Sequence, residues 1–304
     1  MTAGTHERAT VGVMDVGGGH VTAALIDPTS SGEVLTERGA AIDPHADRDA
    51  LLDQLAGPAR ALAGSAPLVG WSIAMPGPFD ARAGTGTFAG VDKFQAIAGI
   101  DLRAALAERL EVAPGAVRFV NDAVAYGIGE WACGAGVGAR RMLCITLGTG
   151  VGSAFLRDGE EVDTGPTVPE SGEVHRLLID GRPLEETVSS PAIRRADRAR
   201  SGLDRTVAEI CAAARAGDVQ ADAVMATAMR ALSTALLPWV DRFGVDRVVV
   251  GGSIARSWDV IGAPLGAGLG LDGPGGPGAR PTLVPAALGA HAPLVGAATA
   301  WTRA

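Results

Sequence analysis

Apolar and polar positions divide this chain into short apolar runs, many closed by glycine. Residues 11–27, VGVMDVGGGHVTAALID, predict a strand, a turn at Gly17, Gly18 and Gly19, and a second strand ending at Asp27. Residues 142–159, MLCITLGTGVGSAFLRDG, repeat the plan: an apolar run is broken at Gly148-Thr149-Gly150 and resumes at Val151. Between the two, residues 32–42 read as a third strand. Residues 48–62 place Leu51, Leu52, Leu55, Ala59 and Leu62 at helical spacing. Residues 67–74 are a short buried strand running into Met75-Pro76-Gly77-Pro78-Phe79, where no helix can continue. Residues 101–110 predict a helix capped by Asp101, 117–120 a strand meeting Asn121 and Asp122, and 123–131 a helix.

Further along, residues 158–183 form a loop rich in charge and proline. Helical patterns follow at 184–199, 206–216 and 221–243. Residues 246–250 read as a buried strand turned by Gly251-Gly252-Ser253 into a helix, 262–281 as an exposed connection, and 291–301 as a closing helix. Strands interleaved with helices predict an α/β class with helices packed on mixed sheets.

Two glycine hairpins about 130 residues apart do not suit a solenoid, whose repeats run to ~20–50 residues. They suggest two related domains whose turns reach into a shared cleft. Glycines there let the backbone take positive φ and expose N–H groups to an anion, while Thr146 and Thr149 supply hydroxyls. An ordinary hairpin carries the same residues. Asp15, ending the first strand, is well placed to hold a metal bound to phosphate.

Asn121 suits a helix N-cap. Asp122, in the first helical turn, is expected to keep an unraised pKa because the helix dipole favours its anion. That fits either a structural role or a weak base in phosphoryl transfer. Glu170, Glu173, His175 and Arg176, with Glu185 and Glu186 beyond, suit hydrogen bonds to a polyhydroxylated ligand and equally suit a solvated loop. The Gly251-Gly252 corner would admit a base or ribose, although a full G-x-G-x-x-G pattern is lacking. The glycine-rich stretch 76–100 is long enough to line or cover a substrate pocket, and it holds Lys93, the only lysine of the chain, to which no role is assigned.

At 304 residues two domains are expected, 1–120 and 121–289, with 290–304 packing back on the first. The formal net charge of −8 argues against nucleic acid as a partner, and the densest basic stretch, Arg194, Arg195, Arg198 and Arg200, reads as a solvated helix face. Three scattered cysteines suggest neither a disulfide framework nor a zinc cluster and fit a cytoplasmic protein. The first ten residues hold no apolar stretch, so no signal peptide is expected, and no membrane span is expected either.

Taken in order, DVGGGHVTAALID, PGPFD, FVNDAVAYGIGE, ITLGTGVGSAF and VVVGGSI resemble the first phosphate, proline-glycine, sugar and connecting, second phosphate and adenosine motifs of the ROK family (repressors, open reading frames and sugar kinases). The resemblance spans nearly the whole chain. It implies a two-domain actin-like ATPase (ribonuclease H-like) fold with an interdomain cleft. It also implies a glucokinase-like phosphotransferase that uses ATP and Mg²⁺ on an alcohol group of a hexose or aminohexose, most simply the 6-hydroxyl. Asp122 would be the general base, and Asn121, Glu173, His175 and Glu185 would bind the sugar. Asp15 would sit near Mg²⁺, with Gly17, Gly18, Gly148, Thr149 and Gly150 around the phosphates and Gly251 and Gly252 against adenosine.

Three departures stand out. Histidine comes one place early in Glu173-Val174-His175-Arg176, so His175 or Arg176 fills the usual histidine place. The family's zinc-binding cysteines are missing between His175 and Glu185, so no zinc is expected. Gly19 stands where a hydroxyl residue is usual. The last two motivate an alternative, a non-catalytic sugar sensor of the same fold. Family repressors carry a DNA-binding domain before the first phosphate motif, whereas 14 residues precede Asp15 here, so a repressor is not expected. A homodimer is the family-level expectation, and inorganic polyphosphate is a less favoured donor than ATP.

Overall fold

The computed structural model describes residues 10–28, 32–64, 66–271 and 281–303. The N-terminal leader reading therefore lies outside the described residues for 1–9, as does the connection reading for 272–280. The chain divides into two units, Met1–Cys133 with Ala290–Ala304, and Gly134–Gly289. The division lies past the 120/121 boundary drawn from sequence, because the helix that begins at Asp122 packs on the closing helix inside the first unit.

In the first unit, β1 (Thr10–Val16) and β2 (His20–Ile26) form the antiparallel hairpin, and β3 (Val34–Ala41) extends it. Helix α1 (Arg48–Leu62) starts at Asp47, whose carboxylate accepts from Ala50 N, and buries Leu51, Leu52, Leu55, Ala59 and Leu62. Strand β4 (Leu68–Met75) lies parallel to β1. A small ribbon of β5 (Phe79–Asp80) and β6 (Thr85–Gly86) follows. Stretch 76–100 is thus packed rather than structureless, with Phe88, Phe94 and Ile97 buried in the core. Helix α2 (Leu102–Arg109) is capped by Asp101, β7 (Val117–Asn121) runs parallel to β4, and α3 (Asp122–Cys133) follows directly. Sheet order is β3-β2-β1-β4-β7. The closing helix, Ala292–Arg303, crosses α3 so closely that a Cβ on Gly129 or Gly296 would strike the other helix's backbone.

The second unit repeats the hairpin. Strands β8 (Arg141–Leu147) and β9 (Val151–Arg157) pair antiparallel, and β10 (Glu160–Glu161) adds to β9. A ribbon of β11 (Leu178–Ile179) and β12 (Arg182–Pro183) leads into α4 (Glu185–Val188) and α5 (Ser190–Ser201). These replace the single helix expected over 184–199, because Ser189 is extended (φ −73°, ψ 160°) and starts α5 ahead of Pro191. Within α5 the arginines face solvent, while buried Asp197 pairs with Arg205 at 2.6 Å.

Helix α6 (Val207–Arg215) and helix α7 (Val219–Phe243) follow. Helix α7 is the one described helix long and apolar enough to cross a membrane. Half of its most apolar window is buried, and its Met225, Met229, Leu232 and Leu236 lie in this unit's core, as in the core helix of a globular unit. Strand β13 (Arg247–Gly251) lies parallel to β8, α8 spans Trp258–Gly268, and β14 (Thr282–Pro285) completes the order β10-β9-β8-β13-β14. Helix α8 corrects the reading of 262–281 as exposed connection. Its Ile261 and Leu265 are fully buried, so burial overrides a composition of glycine and proline.

Candidate functional site

Three parallel strands of the first unit end together. Asp15 pairs with Ala74, and Ala74 with Val120, so Asp15, Met75 and the Asn121-Asp122 pair share the carboxyl edge of β1, β4 and β7. That edge is where open α/β sheets take ligands. Asn121 caps α3, its Oδ1 accepting from Ala123 N at 3.0 Å and Val124 N at 3.2 Å. Asp122 Oδ1 accepts from Ala123 N at 2.8 Å.

Burial pushes the Asp122 carboxyl from the ordinary 3.8 up to about 6. The Ala123 hydrogen bond opposes this, and the charge of Asp15 adds to it. The expectation of an unraised pKa is therefore corrected: desolvation outweighs the helix terminus. Burial raises Asp15 to about 6 as well. Two carboxylates within each other's field form a donor set that suits a divalent cation, since Mg²⁺ takes one or two carboxylates with phosphate and water oxygens. Among the described residues there is no group of three or more His, Cys, Asp or Glu side chains gathered as a metal cage.

At the first turn, Gly17 N donates to His20 O at 2.9 Å. The His20 ring lies against the face of Gly17 and the Lys93 ammonium against that of Gly18, while the side of Gly19 is open, with nothing within 4 Å of where a Cβ would stand. Among the described residues, the Gly18 and Gly19 N–H groups donate to no acceptor.

The second turn is furnished differently. Gly148 N donates to Gly150 O at 3.0 Å, and Ser190 N to Gly148 O at 2.7 Å. Glu185 Oε2 accepts from Val151 N at 2.9 Å and would stand 2.9 Å from a Cβ on Gly150. Thr149 is exposed at the tip. Gly251 pairs with Thr146, and Gly252, at φ 84°, lies on the backbone of Leu147, where a Cβ would stand 2.7 Å from Leu147 N. Only glycine fits there. The corner after β13 is thereby fixed beside the turn, with Ser253 Oγ near Gly148.

Ser153 holds the acidic segment to β9: its hydroxyl donates to Gly172 O at 2.6 Å and accepts from Val174 N at 3.1 Å. Beyond that anchor, Arg176 donates to Glu173 Oε2 at 3.2 Å, and His175 Nε2 lies 4.0 Å from the same oxygen.

The structure thus gathers Asp15, Gly17, Gly18, Asn121 and Asp122 in the first unit. In the second it gathers Gly148, Thr149, Gly150, Glu185, Gly251 and Gly252. Glu173 and His175 meet each other, and no hydrogen bond joins them to Glu185 among the described residues. His20, Ser153 and Ser253 lie inside the motifs quoted from the sequence, but sequence reasoning gave none of them a role, because nothing in the local pattern shows what each side chain touches. That reasoning noticed Lys93 from its rarity alone.

Comparison with known proteins supplies the family. The model of the ROK family matches residues 10–304. A glucokinase of Thermotoga maritima is 30% identical over 168 residues, 48% of this chain and 53% of the relative, so the chain spans about half the length of that curated relative. Among solved structures, a ROK hexokinase from Thermus thermophilus superposes with a TM-score of 0.76 at 24% identity, covering 95% of this chain and 97% of the other. A ROK glucokinase from Streptomyces griseus, solved with glucose and AMPPNP, has a TM-score of 0.78 at 22% identity, covering 97% and 100%. These structural likenesses show the fold, the actin-like ATPase fold of ROK proteins.

Proposed function

The chain belongs to the ROK family, and from that premise we propose that it is an ATP-dependent sugar kinase acting on a hydroxyl of a hexose or aminohexose, the 6-hydroxyl being the simplest acceptor. The observation that carries this reading is Asp122, a carboxylate at a helix start whose pKa burial has raised toward neutrality, beside a second raised carboxylate, Asp15. A base of that strength takes a proton that leaves late in transfer, when alignment of the attacking oxygen matters more than basicity.

In this reading Asn121 binds a neighbouring hydroxyl through its amide, its Oδ1 already holding α3. Glu173 and His175, restrained by Ser153, and Glu185 discriminate among sugars. The Gly148–Gly150 turn and the Gly251-Gly252 corner take the nucleotide, and Gly17 and Gly18 take phosphate. Asp15 would hold Mg²⁺ through water and phosphate oxygens, and the cation when bound would neutralise phosphate charge. A glucokinase among the relatives and an AMPPNP complex of a structural neighbour support ATP and sugar as ligands. The same reading carries a cytoplasmic location and a homodimer as proposals, the latter checked by light scattering.

A second reading, a sugar sensor without turnover, draws on Gly19, which removes a hydroxyl from the first turn. One assay separates the two. ADP release with Mg-ATP is followed across hexoses, aminohexoses and N-acylated aminohexoses, with Asp122→Ala alongside. We expect turnover on one sugar, falling by about 10³-fold in the variant while sugar binding persists. No turnover on any sugar, with sugar binding intact by calorimetry, would replace the kinase by the sensor. Equal turnover in the variant would remove Asp122 as base.

A further inference from the structure

On the first turn, positive charge and hydrogen-bond donors converge, and among the described residues nothing accepts from them. Lys93 Nζ rests against Gly18 and, among the described residues, has neither a hydrogen-bond nor an ion-pair partner. The Gly18 and Gly19 N–H groups reach no acceptor there either, and the His20 ring covers Gly17. An ammonium free to choose its rotamer turns toward water or a carboxylate. One set on a glycine face beside two unused amide dipoles forms a cluster of one sign, which an anion would relieve.

The base of this side chain is fixed. Phe94, next along the chain, is buried in the left-handed region at φ 63°, packs at a tilt against Phe88 with ring centroids 5.5 Å apart, and donates its N–H to Pro44 O at 2.9 Å. Gln95 Nε2 donates to Phe88 O and Val91 O, both at 2.8 Å. Four residues of the loop, Phe88, Val91, Phe94 and Gln95, are therefore tied down around Lys93, and its flexible stem is left to move.

We infer that Lys93 is a phosphoryl-binding residue, its ammonium completing, with the Gly18 and Gly19 N–H groups, an oxyanion site for the terminal phosphoryl group of the nucleotide. This rests on the kinase reading and deepens it. It also accounts for Gly19, since the donor absent from the turn itself arrives from another segment. In transfer the bond from the γ-phosphorus to the β,γ-bridging oxygen breaks, its electron pair leaving on ADP. The sugar oxygen forms the new bond to phosphorus, and its proton passes to Asp122. Lys93 keeps its proton throughout and balances the charge on a non-bridging oxygen.

The test uses the full chain as parent, Lys93→Met and Lys93→Arg, and two measurements. In steady-state kinetics with Mg-ATP and the accepted sugar, Lys93→Met is expected to lower kcat about 100-fold. The sugar KM should stay within about twofold, and arginine should recover most of the rate. In a titration with inorganic phosphate alone, followed by ³¹P resonance, Lys93→Met should weaken binding about tenfold or more.

Equal kcat in Lys93→Met and parent overturns the role of Lys93 and leaves the kinase standing. A parent that phosphorylates no sugar, yet binds phosphate through Lys93, overturns the kinase and retains the anion site. Phosphate binding that is absent from the parent, or unchanged in Lys93→Met, overturns the site. Matching unfolding curves separate these results from loss of fold. Should the methionine variant fail to fold, loss of phosphate binding in Lys93→Arg, which keeps the charge, would equally overturn the inference.

Discussion

The two glycine hairpins share a backbone plan and differ in what lies on their glycines. The first carries an ammonium from Lys93 and an imidazole from His20, with two amides that reach no acceptor among the described residues and Gly19 open. The second carries a carboxylate from Glu185 that already accepts from Val151 N, and a corner, Gly252, set on the Leu147 backbone. One turn presents an ammonium beside amide N–H groups, and the other is braced by a carboxylate of its own unit. A glycine turn therefore supplies N–H groups and room, while side chains from distant segments decide its electrostatics.

The largest contrast should come from adding a methyl group. Gly252→Ala forces a Cβ onto backbone at positive φ and should cost about 3 kcal/mol or more, or abolish folding of the second unit. Gly19→Ala meets nothing and should stay within about 0.5 kcal/mol. Denaturant midpoints that agree for the two variants would break the comparison.

Truncating the side chains on the turns should separate them again, less widely. Glu185→Ala strands the Val151 N–H and is expected to lose about 1–3 kcal/mol, Glu185→Gln less because an acceptor remains. Lys93→Met removes no hydrogen bond and should leave stability nearly unchanged. A similar loss for Lys93→Met and Glu185→Ala would mean that the first turn is braced too.

The smallest effect concerns pH and belongs to the first unit. Folded Asp15 and Asp122 titrate near 6 rather than 3.8, so their contribution to stability is fully present below about pH 3.8 and is lost as pH rises through about 6. On the kinase proposal activity would run the other way, because a base must be ionised: kcat/KM should rise through pH 6 with an apparent pKa owned by the pair. Asp15→Asn should lower that acid limb only slightly, as the like charge is a minor cause beside burial. A limb that stays near 4 in the parent would remove the raised Asp122 from the mechanism.

Much of the fold was legible. Asp101 caps α2 as its position before an apolar pattern implied, and α1 buries the four leucines and one alanine read from spacing. The site was legible where residues are neighbours in sequence, as at Gly17-Gly18 and Asn121-Asp122. It was illegible where they are not: nothing near Gly18 points to Lys93, and nothing near Val151 points to Glu185.

What the sequence by itself determined is local: alternating runs became strands, glycine pairs became turns, and acidic caps became helix starts, because these depend on φ, ψ and side chains a few residues apart. Tertiary structure alone decided the rest. It made α8 a helix with one buried face out of a stretch rich in glycine and proline, raised Asp122 by taking water from it, and set opposite charges on two similar turns. Burial and electrostatics depend on which distant segments arrive, and that depends on the whole fold.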